Sequence, residues 1–318
     1  MPDNKWISKF PEQLPDFIIA GGMKCATTTM HAILDKHPDV FIPKGELHMF
    51  DIDDIFEHSD FNYYNHEKDR WYSATRNFNE NWEAYHTKFK GNESKIKGED
   101  STSYLPSKDA FRRISLQKKT IKVIVMLRNP TSRAYSNYHH LLKSGRALYS
   151  FEDTIQYLPY TVLHKSMYKQ QLENLYKYIP KTEVKIVIFE DFIKNPKDGM
   201  KEISNFLNID FTKFKEEDFN THANKGNIPR NVHLKYIFSR NFRGFGNKLY
   251  FNKTLDFKPK KDSFYKRLMF VTHNLLNPIK EGKPEKIKIS TKVFLDEYFL
   301  KELEGLDELI EMPVLNKW

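Results

Sequence analysis

The sequence predicts an α/β protein: a P-loop-like, doubly wound parallel sheet flanked by helices, in a single main domain. Three observations carry this. Short apolar runs recur at DFIIA (16–20), VIVML (123–127) and EVKIVIF (183–189), as expected of inner parallel strands covered on both faces. Helical periodicity follows each run, the alternation that builds a parallel sheet. A glycine turn joins the first run to its helix in GGMKCATTTM, residues 21–30.

Taken in order, Asp16 to Ala20 reads as a buried strand. A helix over 27–37 follows, and Pro38 helps end it. DVFIP (39–43) is a short strand. Residues 50–95 are rich in aromatic, Asn and charged residues and read as an insertion, with an amphipathic helix near Trp82 to Phe89. IKGED (96–100) is a strand that ends in acid. After the strand at 123–127, Pro130 is placed to open a helix that runs to Leu142. Leu172, Leu175 and Tyr176 mark a helix over 168–178. Val184 to Phe189 is a further central strand, and MKEISNFLNI supplies the helix behind it. Right-handed crossovers place the strand ends on one common edge. Beyond residue 210 the pattern loosens into a polar loop (220–230), a basic aromatic stretch and a helix-like tail. The expected layout is one domain over 1–318, with an insertion at 50–95. A C-terminal extension over 231–318 is expected to pack on the same domain.

The 318 residues are 39% hydrophobic and include 25 Phe and 17 Tyr, enough for a core. Lys and Arg number 51 against 42 Asp and Glu, a net +9, which favours anionic partners without naming one. Nucleic acid, nucleotide, phosphate, sulfate and acidic glycans all qualify. Zinc-finger spacing and a recognition-helix signature are absent. No apolar run approaches the roughly 20 residues of a membrane span, and the start lacks a signal-peptide core. The lone cysteine, Cys25, excludes an intrachain disulfide and suits a reducing compartment, so a cytoplasmic location is expected.

The first turn is built for an anion. A strand, glycines and a helix start present backbone N–H groups to a ligand. Lys24 adds a point charge, and Thr27, Thr28 and Thr29 add hydroxyls. The blander reading is a turn with a helix cap. An ATP-binding P-loop, G-x-x-x-x-G-K-S/T, does not fit: no glycine precedes Lys24 and Cys25 follows it. The strand at 123–127 also ends in Arg128, where a magnesium-binding enzyme wants an acid. LRNPTSRAYS then sets Arg128 at a strand end and Ser136 eight residues on, able to hold a phosphate from two directions.

These motifs resemble the sulfotransferase superfamily that uses 3'-phosphoadenosine 5'-phosphosulfate, PAPS. GGMKCATTTM is similar to its 5'-phosphosulfate loop and LRNPTSRAYSNY to its 3'-phosphate motif. FIPKGELHMF resembles a segment of heparan-sulfate-type members and their bacterial relatives, and NKGNIPR resembles the late loop over the nucleotide. The matches run in family order across roughly residues 14–230. The resemblance implies that Lys24, Cys25, Ala26, Thr27, Thr28 and Thr29 hold the 5'-phosphosulfate. It implies that Arg128 and Ser136 hold the 3'-phosphate, and that Lys225, Gly226 and Arg230 complete the nucleotide site. Glu46 matches the catalytic base of glycan-directed members and His48 its neighbour. Asp100, Ser101 and Tyr104 are expected on the acceptor side, with the insertion at 50–95. Two departures stand out. Ala26 sits where the family often has glycine. Asp100 sits where a lysine is common, which disfavours a heavily sulfated polysaccharide acceptor.

The implied activity moves the sulfuryl group of PAPS to a hydroxyl, less often an amine, of a small molecule or saccharide. Adenosine 3',5'-bisphosphate is released and no metal is required. Glu46 or His48 is the base, with Lys24 beside the leaving oxygen. The rivals are a nucleotide-dependent small-molecule kinase and a non-catalytic polyanion or nucleic-acid binder. Neither a nucleic-acid partner nor a membrane span is expected from the leading reading.

Overall fold

The computed structural model describes residues 4–58, 62–65, 69–73, 78–220, 227–241, 264–282 and 285–318. The elements run β1 (Phe17–Gly21), α1 (Thr27–Leu34), β2 (Val40–Phe41), β3 (Asn62–Asn65), β4 (Arg70–Ser73), α2 (Phe78–Thr87), β5 (Ile96–Asp100) and α3 (Ala110–Ser115). They continue β6 (Lys122–Leu127), α4 (Pro130–Lys143), α5 (Phe151–Tyr157), α6 (Pro159–Leu163), α7 (Tyr168–Tyr176), β7 (Val184–Ile188), α8 (Phe189–Lys194) and α9 (Pro196–Leu207). The last are β8 (Asn227–Pro229), α10 (Val232–Asn241), α11 (Phe264–Leu276), β9 (Ile279–Glu281), α12 (Ile289–Glu302) and α13 (Leu306–Ile310).

The chain divides into two compact units. The first is Met1–Asn129, Met167–Ala223 and Glu302–Trp318; the second is Pro130–Ser166 and Asn224–Lys301.

The first unit holds a five-stranded parallel sheet in the order β2-β5-β1-β6-β7. This is the α/β sheet the apolar runs predict. β1 lies at its centre because FIIAG is apolar on both sides, and every residue of it is buried. On one face Phe17, Ile19, Ile124, Met126 and Val187 pack with Met30 and Ile33 of α1 and Met200 and Ile203 of α9. α9 starts as its sequence dictates: Asn195 accepts from the Asp198 N–H, and Pro196 opens the first turn. Its end is fixed by Asn208 in the left-handed region at φ 59°.

The segment 50–95 holds an antiparallel pair that hydropathy did not announce, β3 against β4, with Asn62 opposite Ser73. It also holds α2, which begins at Phe78, ahead of the amphipathic stretch read from Trp82. In the second unit α4, α5, α6 and α10 pack together, and β8 pairs antiparallel with β9. Arg133, fully buried, donates to the Val162 carbonyl and the Ser166 hydroxyl. The tail is two helices, because Gly305 takes a left-handed φ of 81° between them. Residues 231–318 therefore contribute to both units.

Candidate active site

The site candidates in the first unit gather at the carboxyl ends of β1, β5 and β6, where an open α/β sheet offers its crevice. Gly21 ends β1 with φ 152°, and an added Cβ would lie 2.8 Å from the Leu105 Cβ and 3.2 Å from the Thr102 carbonyl. Only glycine lets the loop after β5 come this close. The Gly22 N–H donates to the Met126 carbonyl at 2.6 Å, tying the turn to β6. Lys24 and Ala26 both sit in the left-handed region, at φ 69° and 68°. Ala26 is also the N-cap of α1 and supplies no side-chain cap. The first N–H groups of α1 are therefore not taken by a capping side chain, as an anion site requires. Thr27 is buried, Thr28 exposed and Thr29 between them.

Arg128 follows β6 and lies against this turn. Its Nη1 donates to the Lys24 carbonyl at 3.0 Å, and its guanidinium lies 4.4 Å from the Phe189 ring centroid. The Tyr168 hydroxyl donates to the Arg128 carbonyl at 3.0 Å. Cys25 is fully buried, its Sγ 3.9 Å from that same hydroxyl, which fits a packing role better than a nucleophile. Ser136 lies half-buried on α4 in the second unit. Arg230 follows β8 there with its side chain exposed. Lys225 and Gly226 lie outside the described residues.

Glu46 is held from two sides. Thr102 Oγ1 donates to Oε1 at 2.8 Å, and His48 Nε2 lies 3.3 Å from Oε2. The Glu46 side chain is 38% exposed and that of His48 only 8%, so Glu46 faces outward and His48 stands behind it. His48 adopts φ 55°, a left-handed conformation that a non-glycine residue takes only when its surroundings impose it. Both the Leu47 and His48 N–H groups donate to Ser101 Oγ at 3.1 Å, and His48 Nδ1 meets Ser103 Oγ at 2.9 Å. Behind them the Asp51 carboxyl pairs with His58 Nε2 at 2.9 Å, and the His58 ring lies 4.4 Å from that of His48. A row of side chains thus runs inward from the exposed Glu46 to the buried His48, Ser103, Asp51 and His58. Burial pushes the Asp51 carboxyl up to about 7. His48, Asp51 and His58 also place one ligand-type atom each within 4.8 Å of the others, residue types that can hold a divalent metal.

Glu99 anchors the row from below. It accepts from Ser101 Oγ at 2.7 Å, the Tyr104 hydroxyl at 2.6 Å and the Tyr85 hydroxyl at 2.5 Å. Burial raises its carboxyl to about 7, against the three hydroxyls that favour the ionised form. Ser101 and Tyr104, expected on the acceptor side, are fully buried. Their hydroxyls are committed: the Tyr104 oxygen also accepts from the Phe50 N–H at 3.2 Å. They clamp the backbone that carries Glu46 and His48. Asp100, also buried, turns its Oδ2 to His31 Nδ1 of α1 at 3.3 Å instead of outward. Sequence reading passed over Thr102, Ser103, Asp51 and His58. The hydroxyl-rich run STS after an acidic strand end was the available signal for the first two. A separate cavity lined by Phe10, Trp82, His86 and Lys97 includes the start of β5, away from the strand end that carries this row.

The first unit thus sets a cationic turn after the first strand, a second cation after its neighbour and an outward carboxylate at the strand ends of one parallel sheet, the crevice of an open α/β fold. A model described as the sulfotransferase family matches residues 15–213. The chain belongs to that family, as the motif order suggested. Among relatives, it is 28% identical over 210 residues to mouse (Mus musculus) heparan sulfate glucosamine 3-O-sulfotransferase 5, covering 62% of this chain and 54% of that protein. It is 26% identical over 206 residues to mouse heparan sulfate glucosamine 3-O-sulfotransferase 3B1, covering 62% and 47%. The chain thus spans about half the length of the curated relatives it matches. A solved sulfotransferase from Alicyclobacillus acidocaldarius superposes with a TM-score of 0.59 at 20% identity, over 94% of this chain and 96% of that one, which shows a shared fold.

Proposed function

We propose that this protein transfers the sulfuryl group of PAPS to a hydroxyl of a saccharide or small molecule, releasing adenosine 3',5'-bisphosphate. One observation carries the proposal. An outward carboxylate, Glu46, is fixed by Thr102 and His48, and Thr102 also packs on the glycine that opens the Lys24 turn. That arrangement suits an acceptor oxygen on one side and an anionic donor on the other.

In this reading Glu46 takes the acceptor proton, because it is the reachable member of the pair. His48 orients it. Lys24, with the N–H groups of residues 25–28 and the hydroxyl of Thr29, offsets charge on the departing phosphate. Arg128 takes the 3'-phosphate end of the donor. Ser136, Lys225, Gly226 and Arg230 join the donor set from the sequence pattern. The new bond runs from acceptor oxygen to sulfur as the bond from sulfur to the 5'-phosphate oxygen breaks, so catalysis is positioning and charge stabilisation. No step needs an ion at His48, Asp51 and His58. The relatives named for a heparan sulfate sugar favour a saccharide acceptor. Asp100 stands where glycan-directed members often place a lysine, and the lack of that cation favours an acceptor with little negative charge near the reacting hydroxyl. The unbridged Cys25 suits a reducing, cytoplasmic setting. The kinase and polyanion-binding readings lose their motive with the family assignment.

The test is incubation with PAPS and a panel of neutral and sulfated saccharides and hydroxylated metabolites, read by mass. A gain of one sulfate on an acceptor, with adenosine 3',5'-bisphosphate in equal amount, is expected. Release of the nucleotide product with no sulfated acceptor from any saccharide would sink the saccharide reading. Failure of the protein to bind PAPS at all would sink the proposal.

A further inference from the structure

The basic aromatic stretch near the C-terminus carries none of the residues assigned above to sulfuryl transfer, and its helices carry a feature that charge alone does not explain. In α11, Phe264, Leu268, Val271 and Leu275 recur at i, i+4, i+7 and i+11, one face of a helix. All four are open to solvent, at 82%, 45%, 53% and 75% exposure. The opposite side of α11 is the packed one: His273 stacks on Phe238 of α10 with ring centroids 4.0 Å apart, and Phe270 lies 6.3 Å from the same ring. The helix is thus apolar on two sides, and only one is covered within its own unit. Leu234 and Ile237 of α10 are exposed as well.

Around this stripe the sequence is strongly cationic. From Asn231 to Lys292 there are 15 Lys and Arg against 4 Asp and Glu, a net +11, more than the +9 of the whole chain. Arg240, Arg267, Lys280 and Lys286 are exposed.

Solvent-facing apolar side chains within a strongly cationic stretch of sequence are the makings of an interfacial helix, one that sets its apolar face among acyl chains and its cations among anionic headgroups. The geometry points to α11 as the docking element by which this protein binds the surface of an anionic lipid bilayer. A second copy of the chain is a poorer occupant, since two such cationic elements repel. A polyanionic glycan would use the cations and leave the stripe idle. The protein lies on the bilayer in this account and does not cross it: among the described residues no helix is long and apolar enough to span one.

Sedimentation with lipid vesicles tests this independently of sulfuryl transfer. The full chain is mixed with vesicles of phosphatidylcholine alone or with phosphatidylserine, and with heparin fragments as a competing polyanion. Wild type is expected to pellet with the phosphatidylserine vesicles only. The double variant Leu268→Asp/Leu275→Asp, at two exposed positions, is expected to partition at least about tenfold less while keeping its circular dichroism. Should the double variant unfold, Leu275→Ser at the helix end replaces it, with a several-fold loss expected. Three results would overturn the proposal: wild type left in the supernatant with anionic vesicles, variants that pellet as fully as wild type, or a wild-type dimer in light scattering that the double variant makes monomeric.

Discussion

Replacing Glu46 by glutamine separates proton acceptance from packing. The amide keeps the shape of the side chain and an oxygen for Thr102 Oγ1, which donates to the carboxylate at 2.8 Å. It loses the charge facing His48 Nε2 at 3.3 Å. The side chain is 38% exposed, so water takes up much of the change and the cost in stability is about 1 kcal/mol or less. The cost in rate is far larger. A positioned general base contributes roughly 10²- to 10⁴-fold, about 3 to 5 kcal/mol of barrier. Glu46→Gln is therefore expected to lower kcat at least a hundredfold with donor affinity unchanged, because no donor contact is lost. Release of adenosine 3',5'-bisphosphate reads the rate, and isothermal titration calorimetry with that product reads the affinity. A variant with a third or more of wild-type kcat would refute the assignment of the base. Loss of nucleotide affinity in step with rate would show that Glu46 serves the donor instead.

Further outcomes follow from the same geometry. His48→Asn should lower kcat less than Glu46→Gln does, since His48 acts through Glu46; an equal or greater loss in acceptor-saturated assays would make the histidine the base. Gly21→Ala places a methyl 2.8 Å from the Leu105 Cβ in a backbone region unfavourable to alanine, so a loss of about 2 kcal/mol or more in urea unfolding is expected; unchanged stability would deny the close approach. Glu99, with its folded carboxyl raised from 4.5 to about 7, favours the folded state most below its unfolded value and loses that contribution as pH rises through about 7. Urea midpoints of wild type should therefore fall between those pH values by an amount equivalent to roughly 3 kcal/mol from this group, and Glu99→Gln should flatten that slope. An unaltered slope in the variant would assign it elsewhere.

Much of this was legible in the sequence because it is local. Uniformly apolar runs announce inner parallel strands, and IKGED was read at its observed bounds, Ile96–Asp100. The Gly21–Lys24 turn and Arg128 were read as anion sites from what stands beside them in the chain. That the Arg128 guanidinium reaches the Lys24 carbonyl depends on β1 and β6 being neighbours, which strand order, and not composition, decides. The rest was hidden for two physical reasons. The β3–β4 pair sets NYYN against RWYS, four residues a strand with adjacent aromatics, too short to show an alternating hydrophobic period. Ser103, Asp51 and His58 are ordinary residues until a left-handed His48 brings them into one row; sequence carries no sign of that contact. The hydrogen bond from the Tyr104 hydroxyl to the buried Glu99 was also out of reach, because a tyrosine in a motif-like loop reads the same whatever its hydroxyl meets.

The account stands most directly on Lys24, the cation placed inside the glycine turn. Sulfate transfer to a saccharide by wild type and by Lys24→Ala, followed by mass spectrometry, tests it together with calorimetric titration of adenosine 3',5'-bisphosphate and a melting curve. The account predicts at least about a hundredfold slower transfer in the variant, weaker nucleotide binding and an unchanged fold. Transfer at the wild-type rate by folded Lys24→Ala protein would contradict it.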